Sequence, residues 1–213
     1  MPNWCFNKIA ISPSKEPETR KQALAQFKEF IEKFRAGNAQ KKEGENDVFF
    51  GVFFPTPQDL QITAGSSTDY GMAVILSQQF NDHSKIDEIR RYPWGMGKTR
   101  EELIKELTEG KGKSANLEEG MQAIKNLKKY GCKDWYDWNC DNWGTKWDLL
   151  ISNVKYDLKR KKMTMFADSA WSPPIEGLCT VSKDYPLLIF KIKYSEEGNG
   201  FRGEDVIQDG WQR

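Results

Sequence analysis

Hydrophobic positions change their period along this chain, and each change marks an expected element. Residues 4–11 alternate, with Ile9 and Ile11 on one face and Lys8 and Ala10 on the other, the pattern of a half-buried strand. Residues 17–36 switch to helical spacing through Leu24, Phe27, Ile31 and Phe34. Pro17 suits a first turn, and Gly37 is expected to end the helix in a left-handed conformation. Residues 38–46 are polar and read as a loop. The run Val-Phe-Phe-Gly-Val-Phe-Phe at 48–54, stopped by Pro55 and Pro57, predicts a short buried strand with Gly51 at a bulge or a close contact.

From 58 to 131 the pattern is helical throughout. Thr99 with Glu102 has the spacing of a capping box, Asn116 with Glu119 repeats it, and Gly131 provides a stop. The intervening Gly-Lys-Gly-Lys-Ser at 110–114 reads as a flexible loop. Strand patterns return at 149–156 and 162–168, joined by a basic turn, and again at 187–194, where Leu188, Phe190, Ile192 and Tyr194 share a face. A helix is expected at 174–184. With the helical block set aside, the order is β-α-β-β-α-β, the ferredoxin-like split βαβ arrangement of an α+β fold. The division expected is a core of 1–57 plus 132–213 with a helical insertion at 58–131. The sheet face opposite the two crossover helices is either covered by the insertion or left for a partner.

Composition narrows the functional classes. The 213 residues carry 32 Lys and Arg against 31 Asp and Glu, so no global field draws the chain to nucleic acid or to a membrane surface, and binding needs a local patch. An aromatic share of 13% argues for a folded chain. No apolar run is long enough to span a bilayer, and the start lacks a basic-then-apolar leader, so a cytoplasmic location is expected. Cys5, Cys132, Cys140 and Cys179 are scattered and read as reduced thiols.

Chemical motifs mostly fail on inspection. Gly95-Met96-Gly97-Lys98-Thr99 has Tyr92 where a phosphate loop requires glycine. The cysteines and the lone His83 do not assemble a four-ligand zinc pattern, so neither metal nor cofactor is expected. Asp134, Asp137, Asp141 and Asp148 cluster and could supply a general acid and base, a hydrolase reading with no accompanying nucleophile; solvent-facing acids and hydrogen-bond acceptors are the simpler reading.

The densest signal is 135–147, which holds four of the eight tryptophans. It reads either as a packed irregular corner or as a recognition surface. Its candidate binding residues are Trp135, Tyr136, Asp137, Trp138, Asp141, Asn142, Trp143, Lys146 and Trp147, with Trp171 beside them. Lysines and one arginine gather at 155–162, where they could meet phosphates.

The opening Met-Pro-Asn-Trp-Cys-Phe-Asn, the segment from Tyr130 to Asp148, Ser-Ala-Trp-Ser-Pro-Pro at 169–174, Tyr-Ser-Glu-Glu-Gly at 194–198 and the Arg-Gly at 202–203 together resemble the YubB-like family of plasmid and phage proteins. That resemblance implies a ferredoxin-like core, a mobile-element gene and no established activity. The leading expectation is a non-enzymatic protein that binds a host or competitor protein, countering a defence system being one version. The alternative from the residues is RNA or single-stranded DNA binding through the sheet and the basic turn.

Overall fold

A computed structural model describes residues 3–42, 44–109 and 114–212. The chain divides into two compact units, Met1–Pro55 with Asn139–Arg213, and Thr56–Trp138.

The first unit is built on one antiparallel sheet of strands β1 (Trp4–Pro13), β2 (Leu150–Asp157), β3 (Lys162–Ala170), β4 (Leu188–Glu196), β5 (Phe201–Gln208) and β6 (Trp211–Gln212), in the order β2-β3-β1-β4-β5-β6. The first four places are the ferredoxin-like order: β1 lies between β3 and β4 and is antiparallel to both. Helices α1 (Arg20–Gly37) and α8 (Ile175–Asp184) pack on one sheet face. There Ile9, Ile11, Met163, Met165, Phe190, Ile192 and Ile207 are buried, with Phe27, Phe30 and Phe34 of α1 and Leu178 and Val181 of α8. Phe30 anchors this core, edge-on to Phe190 at 5.7 Å and stacked on Phe53 at 4.3 Å.

Three expectations need correction. The run at 48–54 forms no strand; its centre is the short helix α2 (Phe50–Phe53). Phe49, Phe50 and Phe53 are all buried at helical spacing, and the Asp148 carboxylate accepts from the N–H groups of Phe49, Phe50 and Gly51 at 3.1, 2.9 and 2.7 Å. A short apolar run has no period that separates strand from helix, and this remote acceptor decides it. Gly37 does not take a left-handed cap. Asn38 ends α1 instead, its side-chain amide donating to Phe34 O at 2.9 Å and Val48 O at 3.1 Å. Gly37 has a packing role: a Cβ there would sit 2.4 Å from a Val52 methyl. Strands β5 and β6 are additions that periodicity did not announce.

The second unit is helical: α3 (Ser66–Phe80), α4 (Ser84–Ile89), α5 (Arg100–Thr108) and α6 (Leu117–Tyr130), around Val74, Ile86, Leu103 and Leu107. The capping box at Thr99 and Glu102 is complete, Asn116 accepts from Glu119 N at 3.1 Å, and Gly131 closes α6 at φ 76°. Helices α3 and α6 cross at two glycines, where a Cβ on Gly71 would lie 1.9 Å from Asn116 O and one on Gly120 2.3 Å from Gly71 C. Asp87 of α4 joins α5 through Arg100, at 2.9 and 2.6 Å. Of the expected glycine-lysine loop, residues 110–113 lie outside the described residues. Helix α7 (Trp135–Trp143) takes the place of an irregular corner and runs across the boundary between the units.

Candidate functional site

The helix-free face of the sheet is set by strand alternation and register. Trp4, Phe6, Lys8 and Ala10 point outward from β1, opposite Ala170, Asp168, Phe166 and Thr164 of β3. Ser195, Lys193 and Lys191 flank them on β4, followed by Arg202, Glu204 and Val206 on β5. On the other side lie Asn153, Lys155 and Asp157 of β2, with Lys162 opposite Asp157. Among the described residues this face presents Lys8, Lys155, Lys162, Lys191, Lys193 and Arg202 against Asp157, Asp168 and Glu204. Six cations against three acids is a local excess larger than the net +1 of the whole chain.

Aromatic rings continue across this face, exposed at Trp4 and Phe6 and half-buried at Phe166. Phe6 and Phe166 have centroids 6.5 Å apart, and Trp4, two residues from Phe6, is 6.0 Å from Trp147. Lysines interleave with them. Lys8 and Lys155 place their ammonium groups 5.7 and 5.3 Å from the Phe166 centroid. Lys146 lies 4.4 Å from Trp147 and 5.9 Å from Trp171. Trp4, Phe6, Trp147 and Trp171 are 37–44% exposed, which is unusual for rings that size.

The backbone at the top of this ladder is tied down. Thr145, buried, donates its hydroxyl to Ala170 O at 3.2 Å and accepts from Ala170 N at 3.0 Å. Ser172 donates to Gly144 O at 2.6 Å. Asp148, one residue beyond Trp147, is fixed by the α2 amides and by Leu149 N at 2.7 Å. Trp171 sits at φ 69°, a costly conformation for a tryptophan, and its N–H donates to Asn3 O at 2.8 Å. Lys146, Trp147 and Trp171 are thereby held beside Trp4.

The other candidates are divided between the two units. Trp143 is buried, stacked on Phe50 at 5.0 Å, with its indole N–H donating to Phe54 O at 2.9 Å. Asp141 is exposed and Asn142 half-buried on the same helix. Trp135, Tyr136, Asp137 and Trp138 belong to the helical unit, where Trp138 is buried and Trp135 meets Tyr136 edge-on at 6.0 Å. Asp134, fully buried, accepts from Tyr136 N and Asp137 N at 2.9 and 3.2 Å and starts α7. Asp134 and Asp148 thus use carboxylate oxygens on backbone amides. Periodicity missed Trp4, Phe6, Lys8 and Phe166 as site residues; the outward alternation of β1 was the available signal for the first three.

Burial raises several ionisable groups of this unit, among them Asp148, Asp168 and Cys5. Asp168, opposite Phe6, has its carboxyl raised above the usual range. The Cys5 thiol is pushed up to about 11, so it is a poor nucleophile at neutral pH. Among the described residues no group of three or more His, Cys, Asp and Glu could hold a metal ion, and no helix is long and apolar enough to cross a membrane.

The strand order and the two crossover helices define the class: a ferredoxin-like α+β domain, here widened by two strands. The sequence comparison agrees, since the family model described as a ferredoxin-like domain in Api92-like protein matches residues 146–212. No curated protein matches the chain. Among solved structures, a protein api92 from Yersinia pseudotuberculosis is similar at 17% identity and a TM-score of 0.39, covering 99% of this chain and 95% of that one.

Proposed function

We propose that the protein binds single-stranded nucleic acid on the outer face of its sheet. The observation that carries this reading is the ladder of the exposed Trp147, Trp4 and Phe6 with the half-buried Phe166, and with Lys146, Lys8 and Lys155 set against its rings. Every base offers a π-face, so such rings accept a strand without reading its sequence, each stacked base contributing ~1–3 kcal/mol. The lysines supply the phosphate partners. Other ferredoxin-like modules use aromatic residues of the sheet in this way, a fold-level analogy that supports the reading without carrying it.

Fluorescence anisotropy with a labelled oligothymidylate and an oligouridylate tests it. The six cations of the sheet face at ~0.7 each contribute up to about −4 to the slope of log affinity against log salt. Phe6→Ala with Phe166→Ala is expected to weaken binding at least tenfold. No anisotropy change with either oligonucleotide at low salt removes the proposal.

A second reading is favoured by the exposed trio Trp4, Trp147 and Trp171: docking on a host or competitor protein, since clustered tryptophans dominate binding hot spots. A mobile-element gene of the YubB-like kind, a cytoplasmic setting and a counter-defence role belong to this reading. Trp147→Ala with Trp171→Ala would abolish capture of a defined protein partner; a partner retained by that variant would exclude the trio as its dock.

A further inference from the structure

Beyond Phe6 and Lys8, the outward face of β1 continues through Ala10 to Ser12 and changes character. The aromatic rings stop and a groove of about 920 Å³ opens, lined by Ser12, Lys15, Arg160, Lys162 and Lys191, with Glu16 as its acid. Ala10, with its small side chain, is part of the lining, opposite Lys191 and Thr164 across the sheet. Arg160 comes from the β2–β3 turn, where its own N–H donates to Asp157 at 2.9 Å and its guanidinium lies 3.7 Å from the same carboxylate. Four cations and one acid in an open groove without an exposed ring match a run of phosphates and offer nothing for bases to stack on.

We infer that this groove is the phosphate channel for a strand whose bases lie on the aromatic ladder. The inference rests on the single-strand reading and gives it a path and a length. From Trp4 to Ser12, at ~3.3 Å per residue, β1 spans about 26 Å. A stacked strand advances ~3.4 Å per nucleotide, so about eight nucleotides run from Trp4 to the groove, fewer when stretched. The first few occupy the rings; the remainder thread phosphates past Lys191, Lys162, Arg160 and Lys15.

The test is a length series of oligothymidylates of roughly 4, 8 and 12 nucleotides, measured with the full chain and with the triple variant Arg160→Gln, Lys162→Gln, Lys191→Gln. The three side chains are exposed, so the fold is expected to survive, and circular dichroism checks it. The parent chain is expected to gain at least tenfold in affinity from ~4 to ~8 nucleotides and little beyond. The variant is expected to lose that gain, with a salt slope shallower by about 2, three contacts at ~0.7 each. A variant that keeps both the length gain and the slope overturns the channel while leaving the ladder in place. Inorganic tripolyphosphate should compete against the ~8-mer far better than against the ~4-mer; equal competition overturns the channel as well. A parent chain that binds none of the oligonucleotides removes the single-strand reading and the channel together.

Discussion

Trp143→Ala removes an indole that is 5% exposed, stacked on Phe50 at 5.0 Å with planes 17° apart, and bonded to Phe54 O at 2.9 Å. Truncating a buried tryptophan to alanine costs ~3–5 kcal/mol through lost transfer energy and the cavity left behind. The Phe54 carbonyl loses its indole donor, adding about 1 kcal/mol. For a chain of this size each kcal/mol moves the melting temperature by ~2–4 °C, so the sheet unit should melt roughly 10–20 °C lower. Trp147→Ala is the matched control, four residues further on. Trp147 is 37% exposed and touches Trp4 and Lys146, contacts worth about 1 kcal/mol together. Its melting point should move by only a few degrees while nucleic-acid affinity falls about tenfold. Calorimetry with anisotropy on both variants reads the contrast. Trp143→Ala melting within a few degrees of the parent, or Trp147→Ala unfolding the sheet unit, would refute the assignment of one tryptophan to core and the other to surface.

Asp148→Ala leaves four backbone amides without their carboxylate and should cost about 3 kcal/mol in urea denaturation; an unchanged midpoint would show that α2 does not need this acceptor. Asp168→Asn should raise stability above the ordinary Asp range, near pH ~3.9, because burial lifts the folded-state carboxyl and its charged form then costs stability as pH rises. The same variant should bind an oligonucleotide more tightly at pH 7, since an anion leaves the ladder; weaker binding would contradict that placement. In the helical unit, the Arg100 hydrogen bonds, aided by Arg90, hold Asp87 down to about 2. A depressed carboxyl stabilises the fold above its unfolded value and loses that effect as pH falls, so helicity should decline between pH ~4 and about 2. Arg100→Gln should flatten that decline, and an unaltered acid titration by circular dichroism would argue against the pair. Gly120→Ala should destabilise the helical unit by ~1–3 kcal/mol in the same assay, because its Cβ meets backbone with no flexible atom to yield.

Elements whose signals are local were legible in the sequence. The alternation of β1, β3 and β4, the helical period of α1 and the caps at Thr99 and Asn116 each need a few neighbouring residues, and each forms. Helix α2 depends on Asp148, nearly a hundred positions away, which no local window contains. Strand β5 reads Phe-Arg-Gly-Glu-Asp-Val-Ile-Gln, with residues depleted from strands, and forms because β4 offers an edge. Gly203 fits there for a physical reason: a Cβ would lie 2.4 Å from the Tyr194 hydroxyl. The site was half legible for the same reason. Tryptophan density exposed Lys146, Trp147 and Trp171, but Phe6 and Phe166 become neighbours only through the register of β1 on β3.

That register also bears on how firmly the ladder is presented. β1, β3 and β4 are each paired on both sides, so Phe6, Lys8, Phe166 and Lys191 stand on interior strands, where local opening demands breaking two ladders of hydrogen bonds. A sheet of β2-β3-β1-β4 alone would leave β4 as an edge. The added β5 pairs Lys191 with Val206 and Lys193 with Glu204, and the Lys193 ammonium forms an ion pair with that carboxylate. One extra strand therefore makes the two lysines unequal: Lys193 forms an ion pair with Glu204, and Lys191, directly opposite an aliphatic side chain, feels that carboxylate only at longer range and faces the groove. Binding energy on these interior strands is not diverted into ordering loops, so most of each base stacked on Phe6 and Phe166 and of each phosphate contact to Lys8 and Lys191 should appear as affinity. Removing β5 pairing at this position, by Val206→Pro on the strand that β4 grips, should thus weaken oligonucleotide binding through Lys191 without touching an aromatic ring; affinity unchanged in a variant that remains folded would mean that the extra strand serves the core alone.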